Sequence, residues 1–298
     1  MRLSRPHKAL QLQRNNFFRV FRAFRGQDYT SRLMKRIFLV LLSSFLLFSS
    51  YAQVQRFYDM RTGVGTPYVA STLEPDALPT DPASFVEPLI VNLAGVDCTT
   101  FVEYVTAARL AGQEEINPAD SLFLSKLQAL RYRQGIRGNY ATRKHYFFEW
   151  ISDAEQQGLL TDVTPRLQGS EPLKKTINFM SRHPQSYPQL AKSPALVKEI
   201  EKVEKLLSAQ QVSYIPKAKI HEAYAQLQHL DIVTFVTSIA GLDVQHVGFV
   251  WRPDPTQAPR LLHASSAKKQ VIIDERTIEQ YAMSQKTIIG IRVVRIVR

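Results

Sequence analysis

Residues 96–112 read VDCTTFVEYVTAARLAG, and the rest of the chain is best read outward from them. Apolar or small residues fall at 98, 101, 102, 105 and 108, which is helical spacing. Asp97 or a neighbouring Thr can cap the start, and Gly112 stops the run. The helix therefore begins at Cys98, the one cysteine in 298 residues. Unpaired N–H groups and the helix dipole at such a start favour a thiolate over a thiol. They also offer a backbone N–H to a developing oxyanion. The stretch predicts a nucleophile at the head of a helix, against the alternative of a small buried residue that only packs.

On the N-terminal side, residues 53–95 look irregular, broken by Gly63, Gly65 and five prolines from Pro67 to Pro88. VEPLIVNLAG (86–95) reads as a short strand that ends at Gly95. On the C-terminal side, PADSLFLSKLQALRYRQG, RKHYFFEWISDAEQQG and SPALVKEIEKVEKLLSAQQ carry helical spacing, the last with a charged outer face. From about residue 230 the period becomes two. DIVTFVTS, QHVGFVW, RLLHAS, KQVIID and TIIGIRVVRIV all read as strands. A helical N-terminal half followed by an antiparallel C-terminal half is an α+β plan. No internal repeat, Gly-rich phosphate loop or zinc-type cysteine pair is visible.

The formal net charge of +12 suggests a nucleic-acid or membrane-surface binder, but its distribution argues otherwise. Residues 1–52 hold ten of the 38 Lys/Arg and one of the 26 Asp/Glu, leaving 28 basic and 25 acidic residues in the body. A nucleic-acid role loses its main support once that segment is set aside. MKRIFLVLLSSFLLFSSYAQ (34–53) has a basic start, an apolar run right for a signal peptide and short for a membrane span, and small residues at Ser50 and Ala52. The expectation is a cleaved signal over 34–52, with Met34 the true start and 1–33 an upstream extension. The alternative is a basic tail on a signal anchor. Removal of the signal leaves an exported protein, periplasmic or secreted, with no stable membrane anchor. A lone thiol outside the cytosol is open to oxidation unless it is buried or in use.

A thiolate needs a base, usually His, held by a third polar group. Beyond the signal the histidines are His145, His183, His221, His229, His246 and His263, and only His246 and His263 fall in strands. Along QHVGFVW, His246, Gly248 and Val250 face one way and Val247, Phe249 and Trp251 the other. If the next strand pairs as a hairpin across RPDPTQAP, His263 can share the face of His246, left open by Gly248. One imidazole can then be the base and the other its orienter. The same Cys/His/His trio could instead hold zinc with an open fourth position.

DCTTF, followed far downstream by DVQHVGFV and LLHASS, resembles the NlpC-type, papain-like cysteine hydrolases of bacterial cell walls. Within that group the chain looks most like the N-acetylmuramoyl-L-alanine amidase-like family first catalogued as domain of unknown function 1460. PYVASTLEP (67–75), VDCTTFVEYV (96–105), RYRQG (131–135), YATRKHYFFEW (140–150), GLDVQHVGF (241–249) and LLHASSAKKQV (261–271) carry the likeness. It implies a papain-like fold, with the nucleophile helix packed on an antiparallel sheet or barrel. One catalytic domain over 53–298 would hold a helical insertion around 113–225. It implies Cys98 as nucleophile, His246 as base and then acid, and His263 as orienter, with no cofactor. The substrate would be peptidoglycan or its muropeptides, cut between N-acetylmuramic acid and L-Ala. Same-fold cleavage of the stem peptide, or wall binding without catalysis, are the other readings. Tyr140, Arg143, His145, Tyr146 and Trp150 form a candidate substrate wall, since aromatic faces suit sugars and Arg can clamp a carboxylate. Asp97 could cap the helix or touch substrate.

Overall fold

The carboxylate of Asp97 accepts the Thr100 N–H at 2.7 Å, and the Thr100 hydroxyl accepts the Asp97 N–H at 2.9 Å. This reciprocal capping box starts helix α1, Cys98–Leu110, where the sequence places it. Gly112, at φ +67°, takes the left-handed turn that ends it. The computed structural model describes residues 54, 56–59, 65–69 and 80–297. The expected signal and upstream extension lie outside the described residues.

Helix α1 is buried along most of its length. Phe101 meets Phe57 and Phe249 edge to face, with centroids 5.4 and 5.5 Å apart. Side chains of this size each contribute about 1.5–3 kcal/mol on burial. Helices α2 (Ser121–Arg131) and α3 (Phe147–Gln156) follow the predicted helical runs. Buried charges join the three helices: Arg131 pairs with Glu103 of α1 at 2.7 Å, and Lys144 pairs with Asp153 of α3. Helix α4 (Pro194–Ala209) starts on Ser193, whose hydroxyl caps it.

Strands β1 (Leu160–Asp162), β2 (Glu171–Lys174), β3 (Gln211–Pro216), β4 (Ile232–Thr237), β5 (Val244–Trp251), β6 (Arg260–Ser265), β7 (Gln270–Thr277) and β8 (Ile288–Ile296) form one antiparallel sheet. Its order is β2-β3-β8-β4-β5-β6-β7, with β1 pairing β8. Helix α5 (Ile278–Ser284) crosses between β7 and β8. Mixed helices and antiparallel sheet make the fold α+β.

Two readings change. VEPLIVNLAG forms no strand; beside it Val96 makes only a lone bridge with Tyr68. Its backbone groups go to side chains: Ile90 C=O accepts from Arg131, and Asn92 N–H donates to the Tyr104 hydroxyl. Pro88 has no N–H to give a ladder. The stretch 113–225 is not wholly helical, since it supplies β1, β2 and β3 to the sheet. These strands are short or only half-buried, so their alternation is faint.

The two sides of β5 bury different cores. Val247, Phe249 and Trp251 join Phe101, Val102 and Val105 of α1 in one, and Val250 joins Leu261, Phe235 and Ile278 in the other. That is the alternation read from QHVGFVW. A third core gathers Tyr140, Tyr146, Phe148 and Leu196 against Val236 and Val244.

Candidate active site

The β5–β6 hairpin forms as the strand pattern predicts, with Phe249 opposite Leu262 and Val250 opposite Leu261. His246 and His263 then fall on one face. His246 Nε2 lies 2.6 Å from His263 Nδ1, and the ring planes are nearly perpendicular. Two features of β5 aim His246. A bulge lies between Phe235–His246 and Val236–Val244, so Gln245 is the extra residue and the strand bends just before the histidine. Gly248 faces His263 directly: a Cβ there would come within 2.7 Å of Leu262 O and 2.9 Å of His263 Cβ. The sequence reading left that space open. Instead it is filled by the approach of β6, and only glycine permits it.

Cys98 reaches this hairpin from the start of α1. It packs against the core that Val247 and Phe249 of β5 share with α1. The phenol of Tyr281, on α5, is close enough to feel the Cys98 charge, and its ring packs 5.9 Å from His246 and 5.4 Å from His263. Tyr281 thus links the head of α1 to the two histidines, which are themselves in contact.

The electrostatics differ from the helix-start argument. Burial pushes the Cys98 thiol up to about 11, and the Asp97 carboxylate adds to the rise; hydrogen bonds from Thr99 and Val247 only partly offset it. Helix-terminal stabilisation of a thiolate loses to desolvation here. Burial, and then the neighbouring His263, pull His246 down to about 3. Both shifts favour the neutral thiol and the neutral imidazole.

Four further residues surround the site and were missing from the sequence reading. His263 is 2 % exposed, and its Nε2 points to Asp274 Oδ2 at 3.7 Å. Arg276 grips Asp274 through Nε and Nη2, at 2.9 and 2.8 Å. Burial alone would raise Asp274, but the hydrogen bonds from Arg276, with His263 nearby at 3.7 Å, hold its carboxyl well below the usual carboxylate range. Its signal was available: His263 pairs with Ile272, so Asp274 shares that face of β7 two residues on. Tyr281 lies on an unforeseen helix. Tyr68 is the fourth addition: burial, then the charges of Cys98 and Asp97, raise its phenol. It belongs to a segment seen in sequence only as irregular. In the structure residues 67–68 of it dock between Val96 and the start of β7, where Tyr68 N–H donates to Lys269 O and Val96 N–H to Pro67 O.

The proposed substrate wall divides. Trp150 and Tyr146 are both 2 % exposed and belong to the core, and the Tyr146 hydroxyl donates to buried Glu204 at 2.6 Å. Packing claims them because α3 turns its aromatic face inward. Tyr140 is buried too, with His145 Nε2 on its carbonyl oxygen at 2.8 Å. Arg143 is half-buried, over the Tyr140 ring and paired with Glu87 at 2.9 Å. Asp97 is engaged in capping α1.

Two ring nitrogens that face each other at 2.6 Å share a proton and do not both present lone pairs to one ion, so the zinc alternative has no support from this arrangement. Among the described residues no three His, Cys, Asp or Glu side chains converge on a metal-sized space.

A cysteine and two strand histidines on an α+β frame define a candidate hydrolase site of the nucleophile–base–orienter type. Residues 61–290 match the family described as N-acetylmuramoyl-L-alanine amidase-like, and the chain belongs to that family. A crystal structure of an N-acetylmuramoyl-L-alanine amidase from Bacteroides uniformis is 35 % identical, with a TM-score of 0.68, over 80 % of this chain and 97 % of that one. A candidate xylanase from Bacteroides fragilis is 37 % identical, with a TM-score of 0.67, over 78 % and 96 %. A Legionella pneumophila protein assigned to domain of unknown function 1460 is 20 % identical over 86 % and 92 %, with a TM-score of 0.59, and shares the fold. No curated protein matches the sequence.

Proposed function

We propose that the chain is an exported cysteine amidase of the papain-like, NlpC-type class that hydrolyses the amide between N-acetylmuramic acid and L-Ala in peptidoglycan or muropeptides. The reading rests on one observation above the others: Cys98 heads the helix that packs on β5, and on β5 the His246 ring is held by His263 Nδ1 at 2.6 Å. Cys98 attacks the lactyl carbonyl carbon. His246 takes the thiol proton as the C–S bond forms, because neither partner is charged beforehand. The Cys98 backbone N–H, free at the helix start, steadies the oxyanion. Collapse of the tetrahedral species breaks the C–N bond, and His246 returns the proton to the leaving L-Ala amine. Water, activated by His246, then hydrolyses the thioester and frees Cys98.

The relatives' names support the amide over a glycosidic bond, with one exception. The Bacteroides fragilis protein described as a candidate xylanase points to sugar chemistry. Glycoside hydrolysis commonly uses two opposed carboxyl groups about 5–9.5 Å apart. Here Asp274 is turned to His263 and Arg276, and Asp97 caps a helix, so these residues form no such pair.

Export over the signal at 34–52 would bring the protein to the wall. Among the described residues no helix is long and apolar enough to cross a membrane. Digestion of defined muropeptides followed by mass spectrometry tests the reaction. Free N-acetylmuramic acid from the sugar–peptide supports the amidase. A shortened peptide still attached to its sugar would replace it with the stem-peptide endopeptidase. Cleavage that persists unchanged in Cys98→Ala would overturn the cysteine mechanism.

A further inference from the structure

We infer that Asp274, clamped by Arg276, is a positioning residue that fixes which nitrogens of the His263–His246 pair carry protons, and so leaves the outer nitrogen of His246 free to act as base. The inference rests on the cysteine-amidase reading for its consequence on rate, but not for its structural content.

The argument follows the chain of contacts outward. Each neutral imidazole has one N–H and one lone pair. Between His246 Nε2 and His263 Nδ1, 2.6 Å apart, one nitrogen must donate and the other accept. If His263 Nδ1 donates, His246 Nε2 accepts, and the His246 proton sits on Nδ1. The imidazole is then a donor on its outer side and cannot take a proton from a thiol. If His263 Nδ1 accepts, its proton sits on Nε2, His246 donates from Nε2, and His246 Nδ1 is the free lone pair. The two patterns have equal hydrogen bonds between the rings, so something beyond the pair must choose.

Asp274 makes that choice. Among the described residues, buried His263 Nε2 has no hydrogen-bond partner at normal length, and Asp274 Oδ2 faces it at 3.7 Å. A carboxylate beside Nε2 attracts a proton there and repels a lone pair. Hydrogen bonds of this kind are often long before the reacting groups assemble and tighten as they do. The carboxylate is kept in place by three donors, all from Arg276. Arg276 donates from Nε and from its own backbone N–H to Oδ1, both at 2.9 Å, and from Nη2 to Oδ2 at 2.8 Å. Arg276 is itself fixed by the Ser284 hydroxyl at 2.8 Å and by the Tyr281 ring, 5.1 Å from its guanidinium carbon. Tyr281 packs on both histidines, so the clamp and the two rings form one unit. A pairing between Asp274 and Arg276 made only for stability would not need a buried imidazole pointed at it.

The test is nitrogen-15 NMR of histidine-labelled protein, read for the protonated nitrogen of each ring, together with muropeptide kinetics. In the parent protein His263 is expected to carry its proton on Nε2 and His246 on Nε2. Asp274→Asn should shift His263 toward the Nδ1–H form and lower kcat roughly 10- to 100-fold, as misplacing a tautomer or losing an outer hydrogen-bond partner does elsewhere. KM should change little. Arg276→Gln, at a half-exposed side chain, should move both readouts in the same direction, with a fall in kcat of about 3- to 10-fold, and it carries the test if Asp274→Asn does not fold. Unchanged tautomers in the variants that fold would overturn the inference. If the parent protein releases nothing from muropeptides, the amidase reading fails, and the NMR comparison still decides the role of Asp274.

Discussion

His246 Nε2 and His263 Nδ1 are 2.6 Å apart with their rings crossed at 86°, so the lone pair of one nitrogen meets the N–H of the other nearly end-on. The contact leaves His246 one outward nitrogen and no freedom to rotate. The role asked of position 263 is that of an acceptor, which an amide oxygen can also fill. His263→Asn should therefore keep activity within about 10-fold of the parent, while His263→Ala should lose about 100-fold or more. Equal losses in the two variants, measured as kcat/KM on a muropeptide, would show that acceptance of the His246 proton is not what position 263 supplies.

On the proposed mechanism Cys98→Ala removes the nucleophile and little else, since the sulfur packs at the edge of the first core and the capping box belongs to Asp97 and Thr100. Thermal stability should change by about 1 kcal/mol or less. Cleavage should fall by about 10⁴-fold or more, as in other nucleophile–base sites. Mass spectrometry of muropeptide digests and a melting curve on the same sample separate the two effects.

The resting thiol gives a distinct pH signature. With the Cys98 thiol pushed up to about 11 by burial and by Asp97, alkylation by iodoacetamide should be slow at pH 7 and climb steadily towards pH 10. A thiolate–imidazolium pair would instead give a flat, fast rate across neutral pH. Observing that plateau would mean that His246 shields and charges the pair more than its buried setting implies.

Much of this site was legible in sequence because its parts lie on periodic elements. The alternation of QHVGFVW put His246 opposite Phe249, and the hairpin put His263 beside it, as found. Asp97 and Gly112 bounded α1 correctly because caps are local chemistry. The direction of the Cys98 shift was not legible, because desolvation depends on what packs around the helix start, which spacing does not report. Tyr146 and Trp150 were misjudged for a related reason: the exposed side of an aromatic-rich helix is decided by its neighbours. Asp274, Arg276 and Tyr281 escaped notice because they meet only through a β6–β7 register shift and a seven-residue helix.

Gly248→Ala tests the close approach of the histidine strands. Its Cβ would overlap backbone at Leu262 O, 2.7 Å away, as well as His263 Cβ at 2.9 Å, so β6 must move. Overpacking of this kind costs about 1–3 kcal/mol. Activity should fall beyond what stability explains, because the displaced residue is His263. A variant with parent-like kcat and only a lower melting temperature would mean that the hairpin absorbs the methyl without moving the ring.

Acid should weaken the fold before the carboxylates protonate in bulk. Burial holds His246 and His145 down at about 3, and burial with the Arg109 charge holds His229 down at about 4, against an ordinary value of 6.5. In each case the unfolded chain binds the proton first. The stability from keeping these rings neutral is full above pH 6.5 and is lost as the pH falls through that value towards 4 and then 3. Each ring contributes a slope of up to about 1 kcal/mol per pH unit in that window. Buried Asp243, whose carboxyl burial raises to about 6, opposes this, because its folded form gains a proton over part of the same range. Glu149 and Asp231, which burial also raises, oppose it too; with three histidines displaced this far below 6.5, the net expectation is a urea midpoint that drops between pH 7 and pH 5. His145→Gln or His229→Gln should flatten the drop where the fold survives, and a midpoint that rises on acidification would show that these rings are protonated in the folded protein.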